Sequence, residues 1–376
     1  MAKKSKNKKI SKSKNQNEIQ SLPVTLPFKK ITTSKSIHDK TINHCFLSKT
    51  NNYIILNSVS YFSILDPKNF KVLSKSDIDS QILFIIELSN NRILLANARM
   101  IFIFEVTDNT KLNLLYHYED KSYDSIGIIG CSEIKDENII MISPYQFKFY
   151  KQTKENILEL YDTFDLEKLV TLKYEDYGTQ FKSAFIINNN NDLVILLTHF
   201  EIYIFNYFKK TLVKKIEIEK TRVLLKYLNL DKDYTLIYHK KKLMLFNNKY
   251  LEIDTKYGLT KENEEIMCIE KLKKNKTIAY GTNLGKIYIF NYIEAEIIKE
   301  INFESQIFNL VWIKELNDNI IVNNLPKSEI GFTNYESGDL LGKLSLKNSS
   351  NYRKGIYIEK TKKLLLCCAN NFAILE

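Results

Sequence analysis

The stretch from Glu265 to Asn302 decides the fold, and it reads EIMCIEKLKKNKTIAYGTNLGKIYIFNYIEAEIIKEIN. It contains four short apolar runs, each of strand length, separated by polar corners and a turn that contains glycine. The runs are Ile266–Ile269, Thr277–Tyr280, Ile287–Phe290 and Ile297–Ile301. Four short strands with tight connections in about forty residues predict one blade of a β-propeller.

Polar corners like the one after the first run recur along the whole chain. One position in each corner lies at 51, 90, 136, 190, 232, 274, 318 and 361, so the spacings run from 39 to 54 residues. Asn and Asp suit these corners because both tolerate left-handed backbone and hydrogen-bond to it. A nearly continuous apolar run follows each corner, as expected for a strand covered on both faces. The sequence therefore predicts an all-β fold, a single β-propeller of four-stranded antiparallel blades. This count gives eight blades, and seven is the alternative if two weak units merge.

The last unit, residues 355–376, stops after its third strand. A strand within Phe28–Thr33 can supply the missing fourth strand, and this pairing would close the ring and remove an open sheet edge. We therefore assign residues 22–376 to the propeller. Residues 1–21 form a Lys-rich tail that has too few apolar groups to fold, so we expect it to be disordered.

The turn and third strand of the quoted stretch, Gly281 to Asn291, read GTNLGKIYIFN. They resemble the Gly-Ser-x-Asp-Gly-x-Ile-x-Ile-Trp-Asp pattern of the WD40 family, with Phe290 at the Trp position and Asn291 at the Asp position. The chain has no Gly-His and no Trp-Asp dipeptide, so we do not expect the family's usual buried His–Asp hydrogen-bond network. The resemblance implies a divergent WD40-like propeller. One aromatic at a fixed strand position in most units favours core packing over base stacking on a nucleic acid.

Charge is concentrated at the N-terminus. The net charge is +11, and residues 1–40 contain eleven Lys, one Glu and one Asp, which gives +9 and leaves +2 for the rest. The tail lysines are Lys3, Lys4, Lys6, Lys8, Lys9, Lys12 and Lys14. Such a cluster suits nuclear import or the binding of RNA phosphates. The alternative is a solvated tail whose lysines reflect an AT-rich coding sequence. We predict a nuclear or nucleolar location, with a cytoplasmic one as the alternative.

One interval between corners is long, with 54 residues, and it leaves residues 161–179 as an insertion between the third and fourth units. The spacing of Phe164, Leu166, Leu169, Val170 and Leu172 suits a short amphipathic helix, and the acidic residues among them suit a partner site. The alternative is a longer fourth strand followed by a loop. The candidate partner residues are Asp162, Phe164, Asp165, Leu166, Glu167 and Leu169.

No catalytic or metal-binding constellation is evident. The five His are isolated from any nucleophile or carboxylate motif, and Cys45, Cys131, Cys268, Cys367 and Cys368 form no C-x-x-C pair. We expect reduced, structural thiols, with the first three of them in first strands. We expect no enzymatic activity, cofactor, metal or small-molecule substrate. No apolar run is long enough to span a bilayer, so we expect no membrane partner.

These observations lead to one function and one alternative. We predict a non-catalytic protein–protein interaction scaffold within a multiprotein complex. The alternative is a ribonucleoprotein or ribosome-assembly component that contacts RNA through its basic tail.

Overall fold

The structure is a computed structural model. It describes residues 28, 31–33, 42–50, 52–58, 61–78, 82–89, 91–97, 100–108, 110–119, 128–134, 138–152, 158–166, 181–187, 192–219, 223–259, 263–274, 276–303, 310, 312–317, 319–326, 329–345, 354–367 and 372–376. In this part of the chain no helix is both long enough and apolar enough to cross a membrane.

The described strands form eight separate four-stranded antiparallel sheets. Seven sheets are meanders of four consecutive strands, and each one is a blade of a propeller. This confirms the all-β propeller and the count of eight blades. The strands of the first four blades, in chain order, are Ile42–Leu47, Ile54–Ser58, Tyr61–Leu65 and Val72–Asp77 in blade 1; Phe84–Leu88, Arg92–Ala96, Met100–Thr107 and Lys111–Glu119 in blade 2; Gly130–Glu133, Ile139–Ile142, Gln146–Gln152 and Leu158–Asp165 in blade 3; and Ser183–Ile187, Leu193–Leu197, Glu201–Asn206 and Thr211–Glu217 in blade 4.

The remaining blades repeat this plan. Their strands are Lys226–Asn229, Tyr234–His239, Lys242–Asn247 and Glu252–Gly258 in blade 5; Ile266–Lys271, Thr277–Thr282, Lys286–Asn291 and Glu296–Asn302 in blade 6; Ile313–Asn317, Ile320–Asn324, Glu329–Asn334 and Leu340–Ser345 in blade 7; and Lys354–Ile358, Lys363–Cys367, Phe372–Leu375 and the N-terminal Ile31–Thr33 in blade 8. The four strands of blade 6 contain the four apolar runs predicted from the sequence.

Position within a blade determines exposure. The first strands of blades 2, 3 and 4 contact one another, as do those of blades 6, 7, 8 and 1, so first strands lie innermost in the ring. Second and third strands are almost wholly buried, whereas fourth strands alternate between exposed and half-buried residues at the outer edge. In an antiparallel meander the first–second and third–fourth connections share one end. We call the side of the ring that carries these connections the corner face.

The chain closes on itself at blade 8. Ile31–Thr33 pairs antiparallel with Phe372–Leu375, with Ile31 opposite Leu375 and Thr33 opposite Ala373. Just before this strand, the buried Phe28 ring lies 5.7 Å from the ring of Phe332 in blade 7. The predicted closure by an N-terminal strand is confirmed.

The core lies between blades. Phe205, Phe246 and Phe290, the aromatics of the Phe-Asn signature, are at most 2% exposed. Phe205, for example, belongs to a cluster that joins blade 4 to Phe147 and Phe149 of blade 3. This confirms the core-packing interpretation. Cys45, Cys131 and Cys268 lie in first strands as predicted, and their thiols and that of Cys367 are free.

The Asn of that signature, and Asn334 at the same place in blade 7, build the turn that follows. Backbone N–H groups of Lys209, Tyr250, Glu294 and Ser337 donate to the Oδ1 atoms of Asn206, Asn247, Asn291 and Asn334, at 2.7 to 3.3 Å. The fourth residue after each Asn has positive φ: Lys210, Leu251, Ala295 and Gly338. The Asn residues are therefore turn-forming residues, and they fix one turn geometry in four blades.

The two glycines of the quoted turn have different roles. Gly285 has φ of +74°, a left-handed conformation that favours glycine. Gly281 lies in the second strand and not in the turn, and a Cβ there would meet the Leu310 Cβ at 2.7 Å and the Cys268 Sγ at 2.9 Å. Gly281 therefore makes room for the next blade.

A β-bulge recurs in the pairing of the third and fourth strands in blades 1 to 7. Each bulge leaves one fourth-strand residue with no partner opposite it. These residues are Leu73, Leu115, Tyr161, Val213, Asp254, Ile298 and Leu341. A bulge twists an edge strand and makes it a poor template for a further strand.

Candidate interaction surface

Tyrosine–carboxylate hydrogen bonds tie the corner face together. Three buried tyrosines each directly follow the Asn at the end of a third strand, and they are Tyr207, Tyr292 and Tyr335. Their hydroxyl groups donate to Asp192 at 3.4 Å, to Asp231 of blade 5 at 3.1 Å and to Glu315 at 3.2 Å. Burial and the neighbouring Asp192 raise the pKa of Tyr207 to about 12, so this phenol remains a donor at neutral pH.

A second set of bonds joins consecutive blades. In three junctions a glutamate of one first strand accepts the backbone N–H of the corner in the preceding blade. The pairs are Lys49 to Glu87 at 2.7 Å, Ser89 to Glu133 at 3.0 Å and Lys273 to Glu315 at 3.0 Å. Since charge-assisted bonds of this kind have narrow geometry, the blades are held in fixed relation to each other.

Apolar side chains are exposed at the outer edge of blades 3 and 4. We call this set the edge patch, and its residues are Leu160, Tyr161, Phe208, Leu212 and Val213. Their exposed fractions run from 37% for Leu212 to 77% for Phe208, the largest among the exposed large apolar residues described. All five lie close to the third–fourth connections of their blades, so they belong to the corner-face side of the edge.

Specific contacts join the two halves of the edge patch. The Lys210 ammonium of blade 4 lies 2.6 Å from the Asp162 carboxylate of blade 3. The Phe149 ring lies 6.2 Å from the Tyr161 ring and 6.4 Å from the Tyr207 ring. Tyr207 directly precedes Phe208, so the turn of blade 4 is seated against the fourth strand of blade 3.

Cations border the edge patch on blade 4. The ammonium groups of Lys209 and Lys214 have no hydrogen-bond or ion-pair partner within the described residues. Lys215 pairs with Glu201 at 2.6 Å, so its charge is compensated. On the blade 3 side, Glu159 is exposed. The surface is thus apolar in the middle and cationic along blade 4.

The residues proposed from the sequence fall partly beside this surface. Asp162, Phe164 and Asp165 lie in the fourth strand of blade 3, and Leu166 follows it, fully buried. Residues 161–165 therefore continue a regular blade, as in the longer-strand alternative, and they form no helix. Glu167, Leu169 and the rest of the interval to residue 180 lie outside the described residues, as do the tail lysines Lys3 to Lys14.

Sequence reasoning missed the exposed members of the edge patch. A signal for Phe208 is present. At the equivalent turn position blades 1, 5 and 7 carry Lys68, Lys249 and Glu336, and blade 6 carries the apolar Ile293, whereas only blade 4 of these five carries an aromatic, Phe208. An aromatic in place of a charged turn residue could have identified the site.

The described residues show no group of three or more His, Cys, Asp and Glu that could hold a metal ion. Burial raises the pKa of the Cys131 and Cys268 thiols to about 12, so both are protonated and weakly nucleophilic at neutral pH. Burial likewise lowers the pKa of His44 and His239.

Comparison with known proteins supports the fold. No protein-family model and no curated protein matches the sequence. Among solved structures, Sqt1 of Saccharomyces cerevisiae is similar with a TM-score of 0.69 and 10% identity, over 90% of this chain and 96% of Sqt1. The computationally designed Ika8 protein is similar with a TM-score of 0.60 and 11% identity, over 91% of this chain and 99% of Ika8.

At this level of identity the similarity concerns the fold alone. Together with the eight four-stranded blades, it supports the β-propeller fold that the WD40 resemblance predicts.

Proposed function

We propose that this protein is a non-catalytic scaffold that holds other proteins in a complex. The observation that carries this proposal is the edge patch, because it groups five of the fourteen exposed large apolar side chains among the described residues at the adjoining edges of blades 3 and 4. Contiguous exposed apolar surface on a folded protein marks an interaction site. The inter-blade hydrogen bonds supply the rigidity that a scaffold requires.

Affinity capture with mass spectrometry tests the scaffold. The baits are the full chain and a version without residues 1–21. We expect both to recover the same set of proteins, because the ring provides the binding surface. Reproducible recovery of no protein by either bait contradicts the proposal. Recovery that depends wholly on the tail also contradicts it.

We propose RNA binding through the tail as a second function, supported by the segregation of charge. Residues 1–40 carry +9 and the other 336 residues carry +2, from a total of +11. Multiple lysines that neutralise phosphates release counterions, so binding should weaken steeply with salt. We expect a generic RNA to bind the full chain at low salt and to lose this binding on deletion of residues 1–21. Binding that survives the deletion rejects the tail as the site.

A nuclear or nucleolar location belongs to the same proposal. Fluorescent fusions of the full chain and of the version without residues 1–21 test it, and we expect nuclear enrichment in the first only. Equal distribution of the two fusions would reject the tail as an import signal.

A further inference from the structure

We propose that the edge patch binds an amphipathic α-helix of a partner protein, with the acidic flank of the helix lying over blade 4. This inference rests on the proposed scaffold function and names the surface and the kind of partner. It follows from three observations: the bulges, the exposed apolar side chains of the patch, and the unpaired lysines.

The bulges argue against a partner that adds a strand. Outer edges of sheets commonly recruit extended peptides through backbone hydrogen bonds. In blade 3 Tyr150 lies opposite Leu160 and Phe149 opposite Asp162, so Tyr161 has no partner. In blade 4 Phe205 lies opposite Leu212 and Ile204 opposite Lys214, so Val213 has none. Both edges are therefore interrupted where the patch lies, and a regular fifth strand cannot pair across them.

The same bulges place additional side chains on the surface. The two unpaired residues, Tyr161 at 52% and Val213 at 47%, are themselves exposed members of the edge patch. An extra residue in an edge strand re-aims its side chain. A partner would therefore contact the patch through its side chains and not through backbone hydrogen bonds. A mixed aromatic and aliphatic surface suits the apolar stripe of a helix.

The lysines determine which charges the partner helix should carry on its two flanks. Lys209 and Lys214 are unpaired within the described residues, and both flank the patch on blade 4. On blade 3 the Asp162 charge is compensated by Lys210 at 2.6 Å, and Glu159 remains exposed. A helix with Glu or Asp along one flank and Lys or Arg along the other would match this distribution, since complementary charge improves both encounter and orientation.

The test measures binding of synthetic peptides to the full chain by fluorescence anisotropy near physiological salt. The first peptide has 20 residues, with Leu at helical spacing and Glu on one flank. The second peptide has Lys in place of each Glu. The third is the first peptide with its two central residues replaced by Pro, which prevents a helix. We expect saturable binding of the first peptide and at least tenfold weaker binding of the other two.

Variants locate the site. Phe208→Ser should weaken binding of the first peptide at least tenfold, because exposed aromatic anchors dominate small interfaces. Combined Lys209→Glu and Lys214→Glu should weaken it about threefold to tenfold. The matched control is Tyr250→Ser, since Tyr250 is 60% exposed in the equivalent turn of blade 5, and it should leave binding unchanged.

Several results would overturn the inference. They are an unchanged affinity in Phe208→Ser, an equal loss in Tyr250→Ser, equal binding of the Pro-containing peptide, and no binding of any peptide. Attachment of the acidic peptide to the Lys-rich tail would appear as the first of these. If affinity capture recovers the same proteins with Phe208→Ser as with the wild type, the scaffold stands and the helix site fails. If capture recovers nothing while the peptide binds at Phe208, the scaffold proposal fails alone.

Discussion

Blade 4 presents two phenylalanines three residues apart in opposite surroundings. Phe205 is 1% exposed and packs in the junction with blade 3, whereas Phe208 is 77% exposed at the outer edge. The junction between blades and the edge of the blades therefore divide the tasks of the ring. We expect residues at the junction to determine stability, and residues at the edge to tolerate substitution without loss of stability. The following variants test this division.

The largest effect is expected for Phe205→Ala. Removal of a buried phenylalanine side chain leaves a cavity between blades 3 and 4, at a cost of about 3–5 kcal/mol in unfolding free energy. Urea denaturation followed by circular dichroism measures it. A loss under about 1 kcal/mol would show that the junction relaxes freely and would remove the distinction between the two regions.

Acid should weaken the junction of blades 1 and 2. Burial lowers the pKa of His44, whose Nε2 lies 3.2 Å from the Ile82 carbonyl oxygen. Below the ordinary histidine pKa of 6.5 the unfolded chain takes up a proton that the folded chain resists, so stability is lost as pH falls through and below that value. One proton gives a slope of at most about 1.4 kcal/mol per pH unit.

The measurement is the unfolding free energy of wild type and His44→Gln between pH 7 and pH 5. We expect a shallower fall in the variant, because Gln keeps an N–H donor for Ile82 but does not titrate. Parallel curves would show that other groups cause the acid sensitivity.

A turn cap should have an intermediate effect. Asn291→Ala removes the acceptor of the Ile293 and Glu294 backbone N–H groups, at 3.0 and 3.3 Å. We expect a loss of about 1 kcal/mol, a typical value for side-chain to backbone bonds. Thermal unfolding measures it, and Asn291→Ser, which retains an oxygen acceptor without placing a second carboxylate beside Glu294, serves as the control. An equal loss in both would attribute the effect to something other than the cap.

The smallest effect on stability is expected for Phe208→Ser. The change lies at the exposed edge, so the unfolding free energy should stay within about 0.5 kcal/mol of the wild type. Urea denaturation on the same protein used for peptide binding measures it. A loss comparable to that of Phe205→Ala would mean that Phe208 packs in solution and would end its role as an anchor.

The repeat was readable from the sequence because every blade buries the same faces. The second and third strands are buried on both sides, so they require continuous apolar runs. The turn that follows requires Asn after the aromatic residue. Ile287–Asn291 shows both features and was therefore enough to identify the repeating unit. Closure by Ile31–Thr33 followed from the missing strand of the last unit. These features depend on local periodicity, which a sequence displays directly.

The edge patch was not readable in the same way. Leu212 and Val213 look like any apolar strand residues, and their exposure depends on whether another blade covers them. The aspartate and phenylalanine at 162 and 164 were predicted as part of an insertion, since a long interval without a corner does not distinguish a helix from a long strand. The bulge at Tyr161 arises from the pairing of two strands, and pairing register is not written in either strand alone.

The closing strand determines when the ring can be completed. Ile31 and Leu375 are paired although 344 positions separate them in the chain (375 − 31). In an otherwise unstructured chain, joining ends this far apart costs about 5 kcal/mol in loop entropy. During synthesis on the ribosome, the N-terminal strand waits unpaired while seven blades emerge. The pairing of Ile31–Thr33 with Phe372–Leu375 then converts an open row of blades into a closed circle.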